Sequence, residues 1–477
     1  MTIAPSTALP PFSRVAIIGA GGASGLAALS QLLDKGAKPD QIVGYEARDT
    51  AGGVWNYDAD AGECKVTWAE DGSLALRTEK EIYDAGRNGP NAIYDGLRTN
   101  LPQECMTFRD APHPKGTETF PTYHQIASYL QGYAKDKGLL SLIRFKTLVR
   151  QVHHTPDTTD TSKRWTVVVE YVDGKGEFVN DLEYFSHIIV TNGHFNVPYV
   201  PSIPGLRSYK GQILHSRWWR NPRSVRGKNI IIVGSHASGT DIARDIALDD
   251  EATDAQTPKL ARTIYQSVRE KDQSRPNDEG DDQSLYPNTK WRDHVETVPE
   301  IERVEGDLVY LKGGKVLSGI DVILFATGYL YSYPFFSPDK APFDSHPIIR
   351  SSTQEERSLS AGPANRPINL DETDTFYVPD KTLAFIGLHR FVNPLPLFER
   401  SARLIAHCFI NGSIPPLPPL KRDSDIPGDL NIGHPQEFEN QDEWLKAIGD
   451  GDEWKVPQRL RDLRGNAIKI RKEHLGY

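Results

Sequence analysis

Residues 14–25 read RVAIIGAGGASG, and this stretch decides the fold class of the protein. Residues 14–18 form a short apolar run that is typical of a buried parallel strand, and a glycine-rich turn follows directly. The small and aliphatic side chains of residues 26–33 predict a tightly packed helix after the turn. A second apolar run, residues 41–45, predicts the next strand and ends on Glu46. Strand, glycine turn, helix, strand and acid in this order are typical of a dinucleotide-binding unit.

The chemistry of dinucleotide binding gives each part of this pattern a reason. Glycines let the backbone approach a pyrophosphate, a helix N-terminus offers free N–H groups, and the acid accepts hydrogen bonds from ribose hydroxyls. The glycines are spaced G-x-G-x-x-x-G, one residue longer than the usual fingerprint, so a structural turn in an unrelated α/β domain is the alternative. The expected pyrophosphate contacts are Gly19, Gly21, Gly22, Ser24 and Gly25, with Glu46 at the ribose.

A similar unit follows far downstream. Residues 229–233 form an apolar run, residues 234–239 read GSHASG with His236 in place of the middle glycine, and residues 240–248 predict a helix. Residues 261–269 predict the next strand, which ends on Ser267 and Arg269 rather than on an acid. A serine and an arginine at this point favour the 2′-phosphate of NADP over NAD, although the neighbouring Glu270 weakens that inference. The alternative for Arg269 is a solvated surface cation. The expected contacts of this second site are Gly234, Ser238, Gly239, Thr240, Asp241, Ser267 and Arg269.

Composition excludes several classes of protein. The 477 residues carry a formal charge of −9 without a basic face, which argues against a nucleic-acid partner. The three cysteines, Cys64, Cys105 and Cys408, form no CxxC pair, which argues against a disulfide framework and indicates a reducing compartment. No secretory signal or membrane-spanning apolar run is visible, so we expect a cytoplasmic protein with no membrane partner. A homodimer is plausible.

Two dinucleotide sites in one chain indicate an internal hydride transfer between a nicotinamide donor and a tightly bound flavin. A disulfide reductase would need a redox-active cysteine pair, which this sequence lacks. The electrons must therefore pass to oxygen or to an external carrier.

The two units are not adjacent in the sequence. A helical stretch at 123–137 and a β-rich stretch at 148–190 lie between them, residues 271–290 are typical of a solvent-facing loop, and residues 321–329 predict a buried strand with a glycine turn. We therefore predict an α/β fold with two Rossmann-like dinucleotide-binding domains, the NADP domain being inserted within a discontinuous FAD domain. The predicted bounds are 1–210 and 323–477 for the FAD domain and 211–322 for the NADP domain, with linkers near 205–212 and 320–326.

Further motifs resemble one family. Residues 209–219, YKGQILHSRWW, resemble the FxGxxxHxxx(Y/F) signature of flavin-containing monooxygenases, with Tyr for Phe at the start and Trp at the end. That Trp is closer to the Baeyer–Villiger signature FxGxxxHxxxW(P/D), but Arg220 follows it instead of Pro or Asp. Residues 52–55 (GGVW), 97–108 (LRTNLPQECMTF) and 325–329 (FATGY) also resemble flavin-containing monooxygenase segments.

The resemblance implies a mechanism and a set of site residues. It implies that NADPH reduces FAD, that O2 adds to give a C4a-hydroperoxyflavin, and that a nitrogen or sulfur atom of a small molecule is oxygenated. The flavin supplies this chemistry, so no side-chain nucleophile is expected. Asn100 is carried over as the catalytic residue where the cofactors meet. Further implied cofactor contacts are Gly53, Val54, Trp55, Thr99, Leu101, Val152 and Gly328.

Alternatives remain open at this stage. A Baeyer–Villiger monooxygenase acting on ketones, an N-hydroxylase of lysine or ornithine, an electron-transfer reductase and an inactive nucleotide sensor would all contain two dinucleotide units. His215 is interpreted as a buried linker histidine with both ring nitrogens hydrogen-bonded, rather than as an acid or base. Trp218 and Trp219 are expected to pack the junction between the domains.

Overall fold

The computed structural model describes residues 6–68, 74–77, 90–251, 261–269, 290–352, 365–422 and 429–475. In chain order, their strands are β1 (Thr7–Ala8), β2 (Val15–Ile18), β3 (Ile42–Tyr45), β4 (Lys65–Trp68), β5 (Leu74–Arg77), β6 (Ile143–Arg144), β7 (Thr147–His154), β8 (Trp165–Val172), β9 (Phe178–Phe185), β10 (His187–Val190), β11 (Val197–Pro198), β12 (Gln212–His215), β13 (Lys228–Val233), β14 (Ala261–Ser267), β15 (Val295–Val298), β16 (Ile301–Glu305), β17 (Leu308–Leu311), β18 (Val316–Ser318), β19 (Val322–Phe325), β20 (Tyr329–Leu330), β21 (Ile349–Ser351), β22 (Asn365–Pro367), β23 (Leu383–Phe385) and β24 (Ser413–Ile414). Their α-helices are α1 (Ala23–Asp34), α2 (Tyr123–Asp136), α3 (Ala237–Glu251), α4 (Pro394–Asn411), α5 (Gln436–Ala447), α6 (Gly451–Trp454), α7 (Gln458–Gly465) and α8 (Ala467–Leu475). The loop predicted at 271–290 lies, apart from residue 290, outside the described residues.

The first unit is built on a parallel sheet with the strand order β23-β10-β2-β3-β6. Side chains of β2 alternate between its two faces, as in any strand. Val15 and Ile17 pack into the cluster formed with α1, α2 and α4. Ala16 and Ile18 pack against the antiparallel meander β7-β8-β9. Because both faces are covered, every residue of β2 is apolar, which is the pattern that the sequence showed.

The second unit is also built on a parallel sheet, with the order β12-β19-β13-β14-β15. Ile242 and Ile246 of α3 pack against Ile230 and Ile232 of β13, and Ile231 faces the opposite cluster. All strands of this sheet lie in the chain between β10 and β23 of the first sheet. The predicted fold class, two Rossmann-like units with one inserted in the other, is confirmed.

The chain passes between the two units at a short antiparallel ladder. There β11, on the outgoing segment, pairs with β20, on the returning segment. The ladder at residues 197–198 and 329–330 lies outside the predicted linkers, near 205–212 and 320–326. Those linkers reach into β12 and β19, which are strands of the second sheet. A boundary between 322 and 323 would divide β19, which continues to Phe325. The remaining bounds stay a prediction.

A buried carboxylate on α4 makes the stability of the first unit depend on pH. Glu399 accepts a hydrogen bond from the N–H of Arg109 at 2.8 Å, and burial raises its pKa from 4.5 to about 7. Since this pKa is higher in the folded protein than in the unfolded chain, Glu399 stabilises the fold fully below pH 4.5. That contribution is lost as the pH rises through 7.

We expect Glu399→Gln to gain stability over the unchanged protein as the pH rises from 5 to 8. The amide keeps the acceptor for Arg109 but carries no charge, so the gain has an upper bound of about 3 kcal/mol. Urea unfolding at several pH values measures it. The control is Glu453→Gln, which removes an exposed carboxylate that pairs with the same Arg109. Parallel stability curves for Glu399→Gln and the unchanged protein would contradict the expectation.

Candidate functional site

The first glycine-rich turn contains positions that only glycine can occupy. Gly19 has φ +88°, and a Cβ there would lie 2.7 Å from Cα of Asn192. A Cβ on Gly25 would lie 2.5 Å from Cα of Ala20. The start of α1 is thus pressed against the end of β2, which is the close helix–strand approach that a pyrophosphate-binding turn requires.

Glu46 lies beside this turn, at the end of β3. Its carboxylate accepts hydrogen bonds from the N–H groups of Gly21 and Arg48, each at 3.0 Å. A Cβ on Gly21 would lie 2.7 Å from Oε2 of Glu46, so the glycine makes room for the acid. Burial raises the pKa of Glu46, while the two N–H groups oppose that rise. The acid and the turn form one hydrogen-bonded unit, as their order in the sequence indicates.

The N-terminus of α1 lies at the first glycine-rich turn. Its N-cap residue is Gly22, and no side chain caps the helix. A Cβ on Gly22 would find its nearest neighbour only at 3.7 Å. Ser24, in the first turn of α1, is buried and donates its hydroxyl to the carbonyl of Thr191 at 3.3 Å. Helix N–H groups that no side chain caps are suited to an anion such as a pyrophosphate.

The GGVW turn packs directly on the glycine-rich turn. The N–H of Gly52 donates to the carbonyl of Gly21 at 2.8 Å, and a Cβ on Gly53 would lie 2.8 Å from Cα of Gly22. Val54 and Trp55 are half-buried beyond this contact. Asn91, which the sequence analysis missed, binds the carbonyl of Gly53 through its side-chain amide at 3.0 Å. The structure therefore joins two predicted segments that are about 30 residues apart.

Asn100 is exposed, and its side chain forms no hydrogen bond with the part of the chain that the structure describes. Its neighbours are fixed. Thr99 is buried, donates its hydroxyl to the carbonyl of Leu101 at 2.8 Å and donates its N–H to Pro121. Leu101 is buried in the first unit. An amide held between rigid neighbours, with its own polar groups unused, is available to a ligand.

The second turn repeats the geometry of the first. Gly234 has φ +116°, and a Cβ there would lie 2.6 Å from the carbonyl oxygen of Ala326. A Cβ on Gly239 would lie 2.3 Å from the carbonyl oxygen of Gly234. Thr240 donates its hydroxyl to Ser235 at 2.8 Å, and Ser238 is half-buried in the first turn of α3. His236 is exposed and does not prevent the glycine-type approach.

Asp241 is placed differently from the expectation. Its carboxylate accepts the hydroxyl of Tyr94 at 2.9 Å and pairs with Arg244 at 2.9 Å and with Arg471 of α8 at 3.5 Å. Burial and the nearby carboxylate raise the pKa of Tyr94 well above its usual value. The carboxylate thus joins α3 to two distant segments instead of facing a pyrophosphate. A contact between Asp241 and NADP stays a prediction that these partners do not favour.

Ser267 and Arg269 lie at the carboxyl end of β14. Ser267 is buried and donates its hydroxyl to the carbonyl of Pro299 at 3.1 Å, while its own carbonyl accepts the N–H of Gly234. The side chain of Arg269 is 62% exposed, with Nε 3.9 Å from a carboxylate oxygen of Glu300. Arg269 is accessible to a phosphate, whereas the Ser267 hydroxyl already has a partner.

His215 has a structural role. Nε2 of His215 donates to the carbonyl of Gly328 at 3.0 Å, and Nδ1 accepts the N–H of Arg217 at 3.1 Å. Burial lowers the pKa of His215 to about 3, so the ring is neutral near pH 7. The interpretation of His215 as a buried histidine with both ring nitrogens hydrogen-bonded is confirmed, but the residue ends β12 of the second sheet instead of lying in a linker. Trp218 and Trp219 are buried in two apolar clusters, as expected for packing residues.

Val152 and Gly328, two further predicted cofactor contacts, form backbone hydrogen bonds with other parts of the protein. Val152 is fully buried in the cluster beneath the meander, and its N–H donates to the carbonyl of Phe335 at 2.7 Å. Gly328 has φ +82° and uses its carbonyl for His215 and Tyr199. Both contacts with a cofactor stay predictions.

Arg220 is a further residue that the sequence analysis noted only as a departure from a signature. It is buried, and its guanidinium donates to the carbonyls of Asp58 at 2.7 Å, Asn91 at 2.8 Å and Trp219 at 2.7 Å. Asp58 and Asn91 flank the GGVW turn of the first unit. Arg220 therefore ties that turn to the segment between β12 and β13 of the second unit.

Comparison with known proteins agrees with this geometry. A model of the family "Flavin-binding monooxygenase-like" matches residues 12–254, more than half of the chain. The chain belongs to this family. Its members use FAD and NADPH, and the two glycine-rich turns, each followed by a helix, fit two dinucleotides. The protein is therefore a flavin-dependent monooxygenase, an oxidoreductase that incorporates one oxygen atom.

Individual relatives support the same assignment. The chain is 28% identical over 421 residues to "Flavin-containing monooxygenase FMO GS-OX-like 4" of Arabidopsis thaliana, covering 87% of this chain and 79% of the relative. It is 30% identical over 333 residues to "Trimethylamine monooxygenase" of Pelagibacter ubique, covering 69% of this chain and 63% of the relative. Among solved structures, S-allyl-L-cysteine S-oxygenase from Allium sativum matches with a TM-score of 0.70 at 23% identity, covering 98% and 95% of the two chains, which shows the common fold. Within the described residues of this monooxygenase, no helix combines the length and apolarity needed to cross a membrane.

Proposed function

We propose that the enzyme binds FAD at the first turn and NADPH at the second, and transfers one oxygen atom from O2 to a nitrogen or sulfur atom of a small molecule. The path of residues 91–100 carries the proposal. Asn91 binds Gly53 beside the first turn, and Tyr94 then binds Asp241 on α3 of the second unit. Asn100 follows on the same segment, which supports its proposed position between a flavin and a nicotinamide.

In this proposal the residues of the chain bind and position the cofactors and the substrate, and they do not act as acids or bases. FAD, when bound, supplies the redox and oxygen chemistry, with the C4a-hydroperoxyflavin as the implied oxygenating species. The first turn and the uncapped N-terminus of α1 would hold its pyrophosphate, and Glu46 its ribose. His215 has both ring nitrogens engaged and stays neutral, so it cannot serve as the acid or base. Asn100 offers an amide that donates or accepts without changing charge.

Nitrogen or sulfur oxygenation is the preferred form of the proposal. The trimethylamine monooxygenase of Pelagibacter ubique acts, by its name, on an amine, and the segment around Asn100 resembles flavin-containing monooxygenases rather than the Baeyer–Villiger group. A Baeyer–Villiger enzyme acting on ketones is the second candidate, because Trp219 ends the signature as in that group. A homodimer stays a prediction.

A stopped-flow experiment tests the proposal. The flavin is reduced anaerobically with NADPH and then mixed with oxygenated buffer. We expect a long-lived near-ultraviolet absorbance band that decays faster when a thioether or a tertiary amine is added. Faster decay with ketones alone would favour the second candidate. Immediate return of oxidised flavin with an equal amount of peroxide would refute both.

Replacing Asn100 with alanine is expected to lower oxygenated product per NADPH at least tenfold without loss of bound FAD. The amide has no partner within the described residues, so its removal leaves the fold intact, whereas one lost donor at a reacting centre costs about 10²–10³ in rate. Product, peroxide and NADPH are measured together. The matched control is Asn180→Ala, an exposed asparagine on β9. Unchanged coupling in Asn100→Ala would remove the residue from the site.

Replacing Arg269 with alanine is expected to raise KM for NADPH roughly 10- to 100-fold and to leave KM for NADH unchanged. A hydrogen bond to a charged phosphate is worth about 1.5–3 kcal/mol, and only NADPH carries the 2′-phosphate. Arg303→Ala, on the exposed face of β16, serves as the control. Equal effects on both nucleotides would show that Arg269 does not read the 2′-phosphate.

A further inference from the structure

One loop of the first unit reaches the second glycine-rich turn. It comprises residues 386–393, between the carboxyl end of β23 and the start of α4. In a parallel sheet this is the edge at which ligands bind. Gly387 accepts the Nδ1–H of His194 at 3.0 Å, and a Cβ on it would lie 3.9 Å from Cβ of Ser24 at the start of α1. The loop therefore begins beside the first turn.

The same loop ends beside the second turn. The ring of Phe391 lies 6.0 Å from the ring of His236, measured between centroids, at an interplanar angle of 47°. His236 is the exposed residue that replaces the middle glycine of that turn. Phe391 thus lies at the second turn, on a loop that starts beside the first, and the residue is 45% exposed.

The backbone of Phe391 is strained. Its φ is +56°, in the left-handed region that bulky side chains rarely adopt. The other non-glycine residues with positive φ in the described ranges are Lys146, Asp157, Asn369 and Asp374, so Phe391 is the one aromatic residue among them. A strained residue persists only where its surroundings enforce the conformation, and such residues concentrate at ligand sites.

The surroundings do enforce it. Arg464 donates to the carbonyl of Phe391 at 3.2 Å and forms an ion pair at 2.9 Å with Glu437, whose side chain is fully buried. The second carboxylate oxygen of Glu437 accepts the N–H of Asn393. On the other side, Arg390 donates its N–H to the carbonyl of Leu430 at 2.8 Å. The loop is fixed on both sides of Phe391, and the guanidinium of Arg390 lies 5.5 Å from the centre of its half-exposed ring.

We propose that Phe391 is a specificity-determining residue, an aromatic wall that limits the size of the amine or thioether admitted between the two turns and shields the flavin from water. An apolar ring suits the alkyl or aryl substituents of such a substrate, and excluding water preserves a reactive oxygenating species. This inference rests on the proposed function.

The test uses three substitutions in the full-length FAD-loaded enzyme. Phe391→Ala removes the ring and keeps the strained backbone, Phe391→Gly removes both the ring and the strain, and Phe178→Ala removes an exposed phenylalanine of β9 as the control. We measure kcat/KM for dimethyl sulfide and for benzyl phenyl sulfide, with peroxide formed per NADPH. For both Phe391 variants, we expect the ratio of bulky to small substrate to rise at least tenfold and peroxide to increase. The control should match the unchanged enzyme.

A second readout separates this inference from the proposed function. Iodide quenching of the fluorescence of bound FAD reports access to the flavin and needs no substrate. We expect the quenching constant to rise at least twofold in Phe391→Ala and Phe391→Gly alone. If the unchanged enzyme oxygenates neither sulfides nor amines, the proposed function fails while the quenching result still decides whether Phe391 covers the flavin. Unchanged quenching and, where sulfides react, unchanged selectivity would overturn the inference.

Discussion

Replacing Gly25 with alanine is expected to yield protein that lacks FAD. The added Cβ would lie 2.5 Å from both Cα of Ala20 and the carbonyl oxygen of Gly19. These are backbone atoms, so the start of α1 must move away from the end of β2 and carry its N-terminal N–H groups with it. We expect the affinity for FAD to fall at least 100-fold, which corresponds to about 2.7 kcal/mol. Titration of the apoprotein with FAD measures the affinity.

The matched control is Gly132→Ala, the same substitution in a helix with open space around it. Apart from the chain neighbours and the backbone of α2 itself, no atom lies within 4 Å of a Cβ at Gly132, and the φ of this residue lies outside the left-handed region. Alanine there should stabilise the fold by about 0.5–1 kcal/mol, because glycine is the poorer helix former. A Gly25→Ala protein with unchanged FAD affinity would show that the close approach is not needed for binding.

The first unit could be predicted because its signals are local. The strand, turn, helix and acid lie within residues 15–46, and each follows from side chains close by in the chain. Glu46 lies beside the first turn because the end of one parallel strand is next to the turn that follows its neighbour, while its contact with a ribose stays a prediction. The same reasoning found the second turn at Gly234 and Gly239.

The partners of the site residues could not be predicted, because they come from distant segments. Asp241 was expected at a pyrophosphate by its position after the turn. In the structure, its carboxylate accepts hydrogen bonds from Tyr94 and Arg471, which are 147 and 230 residues away in the sequence. Such contacts depend on how α8 and residues 91–100 pack, which no local pattern encodes. The strain at Phe391 is also invisible in the sequence, since it results from Arg464 and Glu437 far downstream.

Replacing Arg220 with alanine is expected to loosen the junction between the units and to destabilise the protein by about 3 kcal/mol or more. Its guanidinium donates hydrogen bonds to the carbonyls of Asp58 and Asn91 in the first unit and of Trp219 in the second unit. A buried carbonyl left without a donor costs about 1–3 kcal/mol, and the contact with Trp219 is buried while those with Asp58 and Asn91 are partly buried. At roughly 2–4 °C per kcal/mol for a domain of this size, the melting temperature should fall by about 6–12 °C. Calorimetry of the FAD-loaded enzyme measures the change.

Two further variants show whether the geometry of Arg220, and not its charge alone, holds the junction. Arg220→Lys keeps the positive charge but loses the planar fork, so it can serve fewer of the carbonyls, and an intermediate loss is expected. Arg223→Ala removes an exposed arginine three residues along and should stay within about 0.5 kcal/mol of the unchanged protein. If lysine restored full stability, a point charge would suffice and the carbonyl contacts would be incidental. If Arg220→Lys also uncoupled NADPH oxidation from oxygenation, the contacts to Asp58 and Asn91 would be what keeps the GGVW turn aligned with the second unit.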